Sequence, residues 1–186
     1  MAVIQYEGRA NQTKLHQDLC LAPINWANSR ATRKGMRFAT EFHVYADYIV
    51  DTAVILSFQW RFAEHYDVLY REAPGLVYHP DSVCYFEAKQ SVADFKNSFG
   101  KGKYKGLNPK GTLNWVVTPK GLVTPEMVPG DWGLLEVAGN GLREIKKPKA
   151  RKLEESELNR VGYEMLWKNG RTSQFEDRRE IERRAE

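Results

Sequence analysis

The chain has little cysteine. Two thiols, Cys20 and Cys84, stand far apart in 186 residues, which excludes a disulfide framework and suits a reducing cytoplasm. A long apolar run is also missing. The longest, Tyr48 to Phe58, is broken by Asp51 and falls short of the roughly 20 residues a membrane-crossing helix needs. The opening MAVIQYEGR has no basic region followed by an apolar block, so no secretory signal is read there. Internal repeats and low-complexity tracts are absent as well. These absences lead to the expectation of a cytoplasmic protein with no membrane contact. What remains is ordinary for a folded domain: 42% hydrophobic and 28% charged residues. That composition excludes disorder over the whole length and makes a single domain the default.

The net charge is +4 and the pI near 9.0, but the distribution is uneven. Residues 1–88 carry 8 bases and 10 acids, whereas residues 89–120 carry seven lysines and one acid, Asp94. This basic stretch begins at Lys89, directly after the carboxylate of Glu87. A local excess of this kind suits an anionic partner.

Hydrophobic spacing sets out the elements. Residues 11–34 read as helix in two pieces divided by Pro23, with Asn11 as N-cap and Leu15, Leu19 and Cys20 on one face. MRFATEFHVY and DYIVDTAVILSF read as two strands joined as a hairpin. Trp60, Phe62, Ala63, Tyr66, Leu69 and Tyr70 have helix-like spacing, so 59–81 is read as an inserted helix or lid. SVCYFEAKQ is a further strand. Ser91 then caps a helix, SVADFKNSF, with Asp94 in the role of a capping-box acid. GKGKYKGLNPKG is a basic loop, TLNWVVTP a strand, and WGLLEVAGNGLREIKK a hairpin turning at Gly139-Asn140-Gly141. From Leu153 a helical pattern returns through Leu158, Val161, Met165, Leu166 and Trp167. The sequence therefore predicts an α/β or α+β fold, one mixed sheet flanked by helices. The main domain spans 1–150, with a helical N-terminal part at 11–35 and the insertion at 59–81. A helical extension, 151–186, follows it.

The acids carry the chemistry. In Glu87-Ala88-Lys89 strand alternation puts the carboxylate and the ammonium on the same side, with Ala88 opposite. Alone, such a triplet reads as an ion pair flanking a strand. Asp51 changes this, because it sits inside an apolar strand where an unpaired carboxylate costs several kcal/mol. Glu41 lies ten residues earlier on the presumed partner strand. Three carboxylates converging on one sheet end repel one another unless a hard cation lies between them, and Mg²⁺ takes such oxygen ligands. Asp47 competes with Asp51 for this role, though spacing and the apolar run after it favour Asp51.

The ordered set of Glu41, VDTAVI with Asp51, FEAKQS with Glu87 and Lys89, and Ala93-Asp94-Phe95 resembles the PD-(D/E)XK nuclease superfamily. It is most similar to the MmcB-like DNA-repair branch and related phage proteins. Lys101 or Lys103 with Tyr104, and the stretch NWVVTPKGLVTPEMVPGDWGLLEV, extend the resemblance over roughly 36–150. It implies a restriction-endonuclease-like fold and Mg²⁺- or Mn²⁺-dependent hydrolysis of phosphodiester bonds in DNA, in repair or phage DNA metabolism. Asp51 and Glu87 would ligate the metal with the Ala88 carbonyl. Lys89 would be base or electrostatic stabiliser, and Glu41 the auxiliary acid.

Other features have plainer readings. His16 and Cys20, at i and i+4 on a helix, are spaced to bring two zinc ligands together, but no second pair follows, which favours a half-buried helix face. GKGKYKG lacks the order of a phosphate-binding loop. A basic loop tracking a nucleic-acid backbone suits it better, with Lys96, Lys101, Lys103, Lys105 and Lys110 on phosphates. The aromatics of 59–81 have the spacing of a core face, with base stacking as the alternative. DNA is the expected partner, with RNA left open, and the C-terminal helix is a route to oligomers. The contrasting expectation is a catalytically silent protein of the same fold that binds DNA or inhibits a partner.

Overall fold

The computed structural model describes residues 13–28, 37–45, 48–55, 58–62, 76–80, 83–99, 111–158 and 160–162. In chain order the elements are α1 (Lys14–Asn28), β1 (Arg37–Tyr45), β2 (Tyr48–Ile55), β3 (Phe58–Phe62), β4 (Leu76–Pro80), β5 (Val83–Ala88), α2 (Val92–Phe99), β6 (Leu113–Thr118), β7 (Gly133–Ala138) and β8 (Gly141–Lys146). A further helical stretch covers 155–158 and 160–162.

Six strands form one sheet in the order β1-β2-β5-β6-β7-β8. β1, β2 and β5 pair antiparallel, β5, β6 and β7 pair parallel, and β8 returns antiparallel on β7. Parallel neighbours need long crossovers. α2 lies in the β5–β6 connection, and residues 119–132 make the β6–β7 one. This is the expected mixed sheet flanked by helices, an α+β fold.

The sheet is covered on both faces. On one side Leu19, Cys20, Trp26 and Ala27 of α1 pack on Val54, Cys84, Phe86, Trp115, Val117 and Leu135. On the other, Phe95 and Phe99 of α2 join Phe42, Val50, Tyr85, Val116, Trp132 and Leu134. β5, near the centre, is buried at every position, which is why its sequence is a continuous apolar run up to Glu87. Burial of this kind supplies most of what holds the sheet together, at about 25 cal/mol per Å² of apolar surface. The β7–β8 hairpin pairs Ala138 with Gly141. Gly139 has φ +58° while Asn140 does not have a positive φ, and a positive φ at the first of two loop residues alone is the mark of a type II′ turn. At the start of β7, a Cβ on Gly133 would lie 2.4 Å from the Trp115 ring, so only glycine admits that ring between the strands.

Several expectations need correction. α1 is one continuous helix with Pro23 inside it, not two pieces. The burial of Leu19, Ile24, Trp26 and Ala27 outweighs the lost proline N–H bond. Its cap is Thr13, whose Oγ1 accepts from the His16 N–H at 3.2 Å; Asn11 lies outside the described residues. Leu15 is 46% exposed, so it does not share the buried face of Leu19 and Cys20. The expected helix over 59–81 is not found where it is described. β3 and β4 form an antiparallel pair there, Phe58 facing Pro80 and Phe62 facing Leu76. Trp60 and Phe62 also fit an alternating pattern, and aromatics favour strands. Ala63, Tyr66, Leu69 and Tyr70 lie outside the described residues.

After β8 the chain returns to the core. Arg151 N–H donates to the Thr112 carbonyl at 2.9 Å, and Leu153, Leu158 and Val161 pack in the cluster on the α2 side. Met165, Leu166 and Trp167 lie outside the described residues. Among the described residues no helix is long and apolar enough to cross a membrane.

Candidate active site

The four acidic and basic positions singled out from the sequence gather where the β2–β5 ladder stops, at mid-strand in β1 and β2 and at the end of β5. In the β1–β2 ladder Thr40 pairs with Thr52 and Phe42 with Val50, so Glu41 falls opposite Asp51. In the β2–β5 ladder the last pair is Thr52 with Phe86, so the next step sets Asp51 beside Glu87. The order Glu41, Asp51, Glu87 across three neighbouring strands is a direct result of this register.

The rung is irregular. Glu41 has φ +48°, a left-handed conformation that costs a non-glycine residue roughly 1–2 kcal/mol. Side-chain alternation changes hand here. On β1, Ala39 and then Phe42 and Val44 all belong to the cluster on the α2 side. On β2 the same is true of Val50 and then Ala53 and Ile55. A kink of this type re-aims side chains within a ladder. It turns Asp51 away from the alternation of Ala53 and Ile55.

β5 ends in a divided hydrogen-bond pattern. Towards β6, Lys89 N–H donates to the Val117 carbonyl at 2.9 Å. Towards β2, Ala88 N–H donates to Asp51 Oδ2 at 2.8 Å. A carboxylate side chain thus takes the place of a strand carbonyl. Glu87 and Lys89 are both buried, and Lys89 Nζ donates to Glu87 Oε2 at 3.4 Å. Asp94 Oδ1, on α2, lies 4.0 Å from the same ammonium. Burial works against the Lys89 charge, but Glu87, Asp51 and Asp94 together outweigh it and raise its pKa above the ordinary lysine value.

Two helix starts hold this strand end. Ser91 Oγ accepts the Asp94 N–H at 3.1 Å, as the capping pattern predicts. The reciprocal bond differs from the standard box: Asp94 Oδ2 accepts from Gln90 N–H at 3.2 Å. The Gln90 side chain in turn accepts the Thr13 hydroxyl at 2.6 Å. Thr13 caps α1, so the first turn of α1 is tied to the residue after Lys89. This brings His16 Nε2 to 3.7 Å from Asp51 Oδ1.

The donor atoms of His16, Cys20 and Asp51 lie within 4.8 Å of one another. The half-buried helix face inferred for His16 and Cys20 is therefore also part of the acid cluster. Thr52 Oγ1 donates to the Cys20 carbonyl at 2.7 Å and fixes that turn of α1 on β2. Burial first, then the Asp51, Glu87 and Glu41 carboxylates, push the Cys20 thiol far above its ordinary value. Cys84, buried in the same apolar layer, is pushed up to about 12.

Of the expected phosphate-contacting lysines, Lys96 is exposed on α2. Lys101, Lys103, Lys105 and Lys110 lie outside the described residues, as does Asp47. Sequence reasoning missed the linking roles of Thr13 and Gln90 and the closeness of Asp94 to Lys89. It had the i, i+4 signal for His16 and Cys20, but the third member comes from a strand more than thirty residues away.

No protein-family model matches the chain, and no curated protein matches it. Among solved structures the chain is similar to the SPO1766 protein of unknown function from Silicibacter pomeroyi. The likeness has a TM-score of 0.61 at 14% identity over 87% of this chain and 90% of that one. At that identity the likeness concerns the fold alone.

Proposed function

We propose that this chain is a metal-dependent nuclease of the PD-(D/E)XK kind, hydrolysing phosphodiester bonds in DNA. The observation that carries the reading is the point where the β2–β5 pairing stops. Asp51 is bonded to the Ala88 N–H there, and Glu87 and Lys89 are paired within 3.4 Å. The mixed sheet between helices agrees with the fold the resemblance implies. Repair or phage DNA metabolism is the setting that goes with this reading.

The donor set fits a dication. Glu41, Asp51, Glu87 and Asp94 bring more negative charge to this point of the sheet than Lys89 and His16 offset. Oxygen donors of this type suit Mg²⁺ or Mn²⁺. Asp51, Glu87 and the Ala88 carbonyl would hold the ion. When bound, it supplies Lewis acidity at a phosphoryl oxygen and acidifies water. The chain's own contribution is positional. The register sets the Asp51 position beside that of Glu87 where the β2–β5 ladder stops, and the Lys89 ammonium would face the negative charge that builds on the phosphoryl group. Glu41 lies across from Asp51 as the auxiliary acid. Lys96 and the lysines of 101–110 draw the nucleic-acid backbone towards this point.

The test is cleavage of plasmid DNA, single-stranded DNA and RNA with Mg²⁺ or Mn²⁺. The wild type is compared with Glu87→Gln, whose fold is checked by circular dichroism. Cutting that requires the metal and is lost in the folded variant supports the proposal. Equal cutting by both proteins removes Glu87 from the chemistry. DNA binding without cleavage by the wild type favours the silent binder.

A further inference from the structure

We infer that His16, Cys20 and Asp51 form a site for a borderline transition-metal dication of the Zn²⁺ class. This goes beyond the nuclease reading, and it stands on the position of Asp51 rather than on any cleavage.

Three donors of different chemistry meet here: an imidazole, a sulfur and a carboxylate, all within 4.8 Å of one another. In a tetrahedral zinc site the bond lengths place such donors roughly 3.3–3.6 Å apart. His16 Nε2 and Asp51 Oδ1 already stand at 3.7 Å, so that pair needs only a small contraction, and Cys20 Sγ, within 4.8 Å of both, has to close by little more than an ångström at most. The mixture matters for the choice of ion. Thiolate and imidazole favour Zn²⁺ and its neighbours, whereas Mg²⁺ takes oxygen donors.

The donors are also oriented. Asp51 Oδ2 is occupied by the Ala88 N–H, which leaves Oδ1 facing His16. The Thr13 cap accepts the His16 backbone N–H, and Thr52 holds the Cys20 carbonyl. Fixed second partners of this kind are what metal-ligating groups use to keep their aim. Cys20 is 2% exposed, while the His16 and Asp51 side chains are 16% and 24% exposed. The ion would therefore enter from the His16–Asp51 side. On binding, the Cys20 thiol gives its proton to solvent as the metal–sulfur bond forms. Three protein donors leave a fourth position for water.

The test uses the full chain, freed of metal by a chelator and titrated with Co²⁺ while its absorption is followed. A thiolate-to-cobalt charge-transfer band is expected and should be bleached by Zn²⁺. Cys84→Ser should keep the band, and Cys20→Ala should abolish it. Because Cys20 is buried, His16→Gln, at a partly exposed position outside the apolar core, provides a second variant. Its cobalt affinity should fall by more than the roughly 10–100-fold that loss of an outer partner costs. A wild type without the band, or a band that survives Cys20→Ala, overturns the site. Glu87→Gln separates the two readings, because it should lose cleavage and keep the band. A cobalt band with no nuclease activity leaves this site standing and sinks the nuclease proposal; metal-dependent cleavage with no band does the reverse.

Discussion

Asp51 Oδ2 accepts the backbone N–H of Ala88 at 2.8 Å, just beyond the last paired residues of β2 and β5, Thr52 and Phe86. The carboxylate closes a ladder that the backbone leaves open. Asp51 is therefore both a structural acceptor and a candidate ligand, and the two roles can be separated by substitution.

Asp51→Asn keeps an oxygen for the Ala88 N–H and removes the charge, whereas Asp51→Ala leaves that donor unpaired. An unsatisfied buried donor costs about 1–3 kcal/mol. Denaturant unfolding without metal should therefore rank Asp51→Asn close to the wild type and Asp51→Ala below it by about that amount. Both should lose cleavage. Equal stability of the two variants would mean that the bond to Ala88 carries no weight.

Lys89 has a distinct alkaline signature. Its pKa is raised in the folded protein, so its contribution to stability is complete below the unfolded lysine value of about 10.4. The contribution is lost as pH rises through the folded value. Lys89→Met should flatten this alkaline fall. Near neutral pH it should also cost about 3–5 kcal/mol, because Glu87 is left buried without its ammonium. The check is urea unfolding as a function of pH. An unchanged alkaline limb in the variant would contradict the pairing.

Glu41 holds its backbone at φ +48°. Glu41→Gly and Glu41→Ala both remove the carboxylate, but only glycine relieves the left-handed conformation. The glycine variant should be more stable than the alanine variant by about 1 kcal/mol, the reverse of the usual order within a strand. Thermal unfolding decides this. Alanine at or above glycine would mean that the kink relaxes when the carboxylate is lost.

The lysines are predicted to act through phosphates. Neutralising Lys96, Lys101, Lys103, Lys105 and Lys110 should weaken DNA binding evenly across sequences. Each lost contact should reduce the slope of log affinity against log salt by about 0.9 on duplex DNA. Titrations at several salt concentrations provide the measurement. An unaltered slope in the multiple variant would locate the DNA elsewhere.

Much of the site was legible because it follows from local pattern. Asp51 interrupts an apolar strand, and Glu87 and Lys89 alternate with Ala88 at the end of a buried one, so their shared side needs only the period of a strand. The Ser91 cap and the Gly139 turn were equally readable, since each depends on a few adjacent residues. The 59–62 segment was not. Trp60 and Phe62 satisfy both helical and strand spacing over so short a span, and only pairing with β4 settles which applies. Pro23 misled in the opposite way, because its local cost is smaller than the burial that α1 gains on the sheet.

By itself, then, the sequence determined the six strands of the main sheet, the mixed α+β architecture and the acids carried on those strands, all of them consequences of spacing along one chain. Tertiary structure alone decided which side chains meet across elements. The register sets Glu41, Asp51 and Glu87 on adjacent strands. The Thr13–Gln90 bond lowers α1 onto that point, and His16 and Cys20 come to face Asp51 as a result. Contacts of this kind depend on how helices pack against the sheet. Packing is the sum of many small burial terms spread over distant residues, and no short window of sequence contains it.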